Sequence, residues 1–141
     1  MFDLEDCLAY LASRSAKQLA SALEKRLAPH GISRARWMVL YYTEKYDHLT
    51  QARLAVLCGT REPSIVRMID HMEAEGLVKR KADKDDRRVR VVVPTKKGQA
   101  LNREILPVVE AFKDDAIRGI PENEMEIFRQ VLETMVRNTA S

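Results

Sequence analysis

The spacing of apolar residues is helical along this chain except in one short stretch of period two, and that exception limits the folds open to it. From Asp3 to Leu27, leucines at 4, 8, 11, 19, 23 and 27 fall on one helical stripe, widened by Ala12, Ala16, Ala20 and Ala22. Ala28-Pro29-His30-Gly31 stops that helix. Ser33 is placed to cap a second helix through Trp37, Leu40 and Tyr41, ending near Tyr46-Asp47. Thr50 is the next N-cap, and Leu49 and Leu54 flank it as a hydrophobic staple. The third helix carries Leu54, Ala55 and Leu57 and ends at Gly59, a natural left-handed position. A fourth begins between Thr60 and Pro63, with Pro63 confined to its first turn, and buries Ile65, Met68, Ile69 and Met72 before Gly76. After Leu77-Val78 the period becomes two: Val89, Val91 and Val93 alternate with Arg88, Arg90 and Val92. Ala82 to Arg87, between Val78–Lys81 and Val89–Val93, reads as a hairpin tip. Helical spacing then returns from Thr95 to about Arg118, with a kink expected at Pro107. Beyond Gly119-Ile120-Pro121, Met125, Phe128, Leu132 and Met135 mark a last helix. The expected fold is mostly α: four helices, one hairpin, two helices, in a single domain over 1–141.

Composition closes off several classes. Five Gly and five Pro in 141 residues argue against disorder and against a turn-rich all-β fold. No apolar run approaches the roughly 20 residues of a membrane span. Met1-Phe2-Asp3-Leu4-Glu5-Asp6 lacks the basic start and apolar core of a secretory signal, so a cytoplasmic location is expected. Two cysteines, Cys7 and Cys58, make no disulfide framework. There is no glycine-rich phosphate loop, G-x-S-x-G elbow or HExxH, and neither catalysis nor a cofactor is expected.

Net charge says little until it is divided. Residues 79 to 97 hold nine of the 24 basic residues and three of the 21 acidic ones, a local +6 on a chain totalling +3. The remainder is therefore −3, and the excess positive charge lies in one segment. Such a patch fits a polyanion docking at one place.

Two short helices joined by Cys58-Gly59-Thr60, followed at once by a basic hairpin, form a winged helix-turn-helix. The second helix of such a pair enters the DNA major groove, with its N-terminal residues at the base edges. With Ile65, Met68, Ile69 and Met72 inward, Pro63, Arg67, Asp70 and His71 point outward, and Arg61 and Ser64 lead. Arg67 is suited to a bidentate bond to guanine, and Arg61 to a base or a phosphate. The hairpin carries Arg87 and Arg88 forward, where a narrow minor groove attracts guanidinium. Lys79, Lys81, Lys84 and Arg90 are placed for phosphates, which position without reading sequence.

Residues 49 to 98 resemble the MarR (multiple antibiotic resistance regulator) family. The resemblance rests on Leu49-Thr50-Gln51-Ala52-Arg53-Leu54-Ala55, Gly59, Ser64-Ile65-Val66-Arg67, and Asp70 through Val78. Its most specific part is the wing signature D-x-R, a strand, then L-T-x-x-G. Here that reads Asp86-Arg87-Arg88, Val89 to Val93, and Pro94-Thr95-Lys96-Lys97-Gly98, with Pro94 in place of the usual Leu. The flanking helices match the family layout as well. The resemblance implies a homodimeric DNA-binding transcription regulator, most often a repressor. Its winged helix-turn-helix would span 34–98 and its dimerisation helices 1–33 and 99–141. It also implies that Asp86 orients the wing arginine Arg88 by a salt bridge, leaving Arg87 for minor-groove insertion. Independently, 1–33 and 99–141 carry long apolar stripes and no excess of basic charge, as a helical dimer interface requires. Two-fold symmetry then predicts double-stranded DNA bearing an inverted-repeat operator, with half-sites about one helical turn apart.

Sensing admits several readings. The family's common effectors are small anionic aromatic compounds, bound between the dimer base and the winged lobe. Arg14, His30, Trp37 and Tyr41 are the candidate contacts, and Trp37 and Tyr41 at i and i+4 also suit a plain core. A peroxide-sensing branch places a cysteine in the first helix, but that position falls nearer Ala9 than Cys7. Asp3, Glu5 and Asp6 beside Cys7 disfavour a thiolate. Cys58 reads as a small hydrophobe. His30, His48 and His71 lie in different elements without paired ligand spacing, and no metal is expected. The rival to DNA binding is a winged helix used for protein–protein contact in transcription machinery, which would not need a +6 hairpin segment.

Overall fold

A computed structural model describes all 141 residues. The first helix is shorter than its leucine spacing predicts. The Asp3 carboxylate accepts from the Glu5 amide at 3.0 Å and closes a 3-10 turn over Leu4–Asp6. Cys7 is then extended (φ −74°, ψ 115°), so α1 starts only at Leu8 and runs to Leu27. A 3-10 turn over Ala28–His30 holds Pro29, and Gly31 turns the chain at φ 72°. Ser33 caps α2 (Arg34–Lys45) by accepting from the Arg36 amide at 3.2 Å, and Thr50 caps α3 (Gln51–Cys58) from the Arg53 amide at 3.1 Å. Gly59, at φ 67°, ends α3 in the left-handed region, where residues with a Cβ are strained. The fourth helix, α4, covers Glu62–Ala74 with Pro63 in its first turn, where no intrahelical donor is lost. Strands β1 (Val78–Ala82) and β2 (Arg90–Pro94) precede α5 (Lys96–Ile117), which continues through Pro107, and α6 (Glu122–Thr139).

The strands pair antiparallel, with Val78 opposite Pro94, Arg80 opposite Val92 and Ala82 opposite Arg90. Val89 lies outside β2, so the turn is longer than the sequence implies and spans residues 83–89. Burial along β2 also departs from alternation: Val91 and Val92 are both about 2% exposed. The cause is cover on both faces. Val92 belongs to the main core, while Val91 lines a recess with Thr43, Tyr46, His48 and Lys81. The Val92 amide also donates to the Leu49 carbonyl at 2.8 Å, which ties the hairpin to the lead-in of α3.

The core sits under the helix pair and hairpin. Val39, Leu40, Leu54, Ile65, Ile69, Met72, Val78 and Val92 form its centre, joined by Leu23 and Leu27 of α1, Ile105 of α5 and Ile32 from the link before α2. Asn102 on α5 joins the two parts: it accepts from Trp37 Nε1 at 3.0 Å and donates to Glu44 at 2.5 Å. By contrast α6 buries none of its residues. No helix is long and apolar enough to cross a membrane.

Candidate nucleic-acid interface

The inward stripe of α4 is Ile65, Ile69 and Met72, with Met68 half-buried. Arg61, Pro63, Arg67, Asp70 and His71 are exposed, and Ser64 is half-buried. Arg61 is the N-cap residue and makes no side-chain cap bond. Neither Arg61 nor Arg67 takes part in an ion pair or side-chain hydrogen bond, so α4 offers one unengaged guanidinium group at its N-cap and a second on the exposed face of its second turn.

The wing is shaped by Asp86. Its carboxylate accepts from the Arg88 backbone amide at 3.1 Å and from Arg88 Nε and Nη2 at 3.1 and 3.2 Å. The Arg88 hydrogen bonds, side-chain first and backbone second, hold the Asp86 carboxyl below the usual carboxylate range. Asp83 N to Val89 O (2.8 Å) and Val89 N to Asp86 O (3.0 Å) close the loop. Arg87 at the tip is exposed and unpaired.

The nine cations of the segment are not equivalent. Arg80 lies opposite Val92 on the inward face, its side chain 17% exposed, and is held by Asp70 and Glu73. Lys97 donates to the Glu75 carbonyl at 2.9 Å, and Arg88 is engaged by Asp86. Lys79, Lys81, Lys84, Arg87, Arg90 and Lys96 remain without a side-chain acceptor. Counting charge along the sequence overstates what faces solvent. The sign of Arg80's role was readable only from its period-two register with Val78.

Sequence spacing also gave no sign of a cluster beside the wing turn. His48, at φ 58°, brings Nδ1 to 2.5 Å from Asp83 and Nε2 to 3.4 Å from Asp85. Asp83, through its hydrogen bond and then its charge, raises the His48 pKa above the ordinary imidazole value. These three residues present ligand atoms within 4.8 Å of one another, but both ring nitrogens already face carboxylates.

Residues 30–89 match the family model described as MarR family. The chain is 32% identical to the transcriptional regulator PA3341 over 94% of its length and 97% of that protein's, with a TM-score of 0.86. It belongs to the MarR family. It is also similar to CouR from Rhodococcus jostii RHA1, solved bound to p-coumaroyl-CoA, at 27% identity over 100% and 99% of the two chains with a TM-score of 0.86. A structure of the repressor CouR on a 23-mer DNA duplex matches at 23% identity over 94% of each chain with a TM-score of 0.81, a likeness of fold.

In this MarR-family chain the candidate effector residues are dispersed. Trp37 and Tyr41 pack at 5.5 Å between centroids, and the Trp37 N–H is already taken by Asn102. His30 is 3.8 Å from Glu104, and Arg14 is exposed on α1 without a partner. The recess lined by Thr43, Tyr46, His48 and Lys81 includes none of these four. Cys7 and Cys58 are half-buried free thiols, and burial pushes the Cys58 pKa up, with Arg34 opposing.

Proposed function

We propose that the chain is a sequence-specific double-stranded DNA-binding regulator that works as a homodimeric repressor and is released by a small aromatic or anionic ligand. The observation that carries this reading is the combination of two exposed, unengaged guanidinium groups on α4, Arg61 and Arg67, with an exposed wing turn bearing Lys84, Arg87 and Asp86-held Arg88. Pro63 and Ser64 lie at the same helix end for base or backbone contact. Lys79, Lys81 and Arg90 supply phosphate contacts, and Asp86 orients Arg88. Repressor CouR on duplex DNA and CouR with an aromatic acyl thioester support both halves of the reading.

Dimerisation follows from what α6 lacks. An isolated 18-residue amphipathic helix is marginal in water, and its stability normally comes from burying its apolar face. Here Ile127, Phe128, Val131 and Val136 are between 43% and 66% exposed, and Leu8, Leu11 and Leu19 of α1 are between 49% and 62% exposed. A second copy supplying the same surfaces covers both, using 1–33 and 99–141 as the base from which the 34–98 lobes project.

Fluorescence anisotropy on random duplex DNA at about 50 and 200 mM salt tests the central claim. Release of counterions by several phosphate contacts should lower affinity by orders of magnitude. Salt-indifferent binding would favour a protein-contact module instead. Titration of Trp37 emission with aromatic acids and their thioesters tests effector binding near Arg14, His30, Trp37 and Tyr41.

A further inference from the structure

The Arg80 side chain points from β1 toward α4 and uses its donors on two helices, α3 and α4. Nε donates to Gln51 at the start of α3 (2.9 Å), and Nη1 donates to Glu73 (3.1 Å). Nη2 meets both the Val66 carbonyl (3.1 Å) and Asp70 (2.8 Å), while its own backbone amide donates to the second Glu73 oxygen (3.0 Å). Two of α4's carboxylates are thereby drawn to one guanidinium. Asp70 stands three residues after Arg67, the spacing at which helix side chains meet and pair. Arg67 nevertheless has no ion pair, because the acid that would take it is already held. We propose that Arg80 is a specificity-positioning residue: it sequesters Asp70 and Glu73 so that Arg67 stays free to read a base.

This rests on α4 being the recognition helix, and the two ideas fail differently. Without Arg80, Asp70 has two alternatives, both harmful. It captures Arg67 by an i,i+3 pair, or it presents a bare carboxylate to the groove. Either is relieved by removing the Asp70 charge, whereas a merely structural role for Arg80 is not. A planar guanidinium is needed, since a lysine ammonium cannot meet Gln51, Glu73 and Asp70 together.

The experiment is selection of duplexes from a randomised DNA pool by the intact protein, with sequencing of the retained fraction and a thermal melt for each variant. R67A should lose preference at one position per half-site by roughly tenfold or more. R80M should lose preference at that same position by a similar factor, R80M/D70N should regain most of it, and R67A/R80M should lose no more than R67A. Preference intact in R80M, or not regained in R80M/D70N, overturns the proposal. No change in R67A removes the recognition-helix assignment and this inference with it. If R80M does not melt cooperatively, the same cycle with Arg80→Lys decides between the outcomes.

Discussion

Gly98, in the first turn of α5, lies so close to the Leu77 carbonyl that a Cβ would stand 2.1 Å from its oxygen and 3.3 Å from Leu40 Cδ2. Around this contact Thr95 accepts from the Gly98 amide at 3.0 Å and donates to the Gly76 carbonyl at 2.6 Å. The T-x-x-G element is thus the seam joining α5 to the end of the winged lobe. An alanine in a helix usually gains about 1 kcal/mol over glycine. Here the obstacle is backbone, which cannot rotate aside, so Gly98→Ala should instead destabilise by about 1–3 kcal/mol. Urea denaturation of the two proteins gives the sign directly.

Asn102 ties α5 to α2. Asn102→Leu orphans the Trp37 N–H and removes the donor to Glu44, with an expected cost of about 1–3 kcal/mol. Trp37 is the only tryptophan, so a shifted emission maximum in the folded variant, alongside a lower denaturation midpoint, checks this.

Asp86 and Arg88 should act as one unit. Asp86→Asn and Arg88→Ala are expected to weaken operator binding several-fold each and to be non-additive when combined. Because the Asp86 pKa is depressed on folding, the pair's contribution is complete above the ordinary carboxylate pKa. It is lost only as pH falls through the lower folded value. Affinity measured from pH 5 to 8 should therefore be flat on this account.

His48 behaves in the opposite sense. Its pKa is raised by Asp83 above all, Asp85 adding and Lys84 and desolvation opposing, so the imidazolium pairs are complete below the ordinary histidine value near about 6.5. They are lost as pH rises through the raised folded value. An NMR titration of His48 should show Asp83→Asn lowering that pKa. Amides 83–89 should also exchange faster in wild type once the histidine is neutral, beyond the intrinsic rise with pH. An unchanged titration in D83N would separate the ring from the wing.

Local chemistry was the legible part. Ser33 and Thr50 cap the helices they precede, Gly59 adopts the left-handed turn and Pro63 sits in a first turn, because each needs only its immediate neighbours. The resemblance to the family further located the Asp86–Arg88 pair. What escaped sequence reading depends on distant segments. Arg80 looks like one more cation until Asp70, Glu73 and Gln51 arrive from two helices. His48 becomes part of a charge cluster only when the hairpin folds back over it. Val91 and Val92 are both buried because different elements cover opposite faces of one strand, which period-two patterning alone does not disclose. The Asp3 cap broke a leucine stripe that continued on paper.

The hairpin is held near its root by the Leu49–Val92 rung and the Arg80 bonds to α3 and α4, and farther out by the His48–Asp83 strap. Beyond the strap only the 84–89 turn projects, closed on itself by Asp86 and Arg88. Release of the strap moves the pivot inward toward the root and lengthens the lever to Arg87. Any rocking there reaches the Arg87 guanidinium over that longer arm. Small tilts of the scaffold would thus be magnified at the tip into the difference between touching a groove floor and missing it.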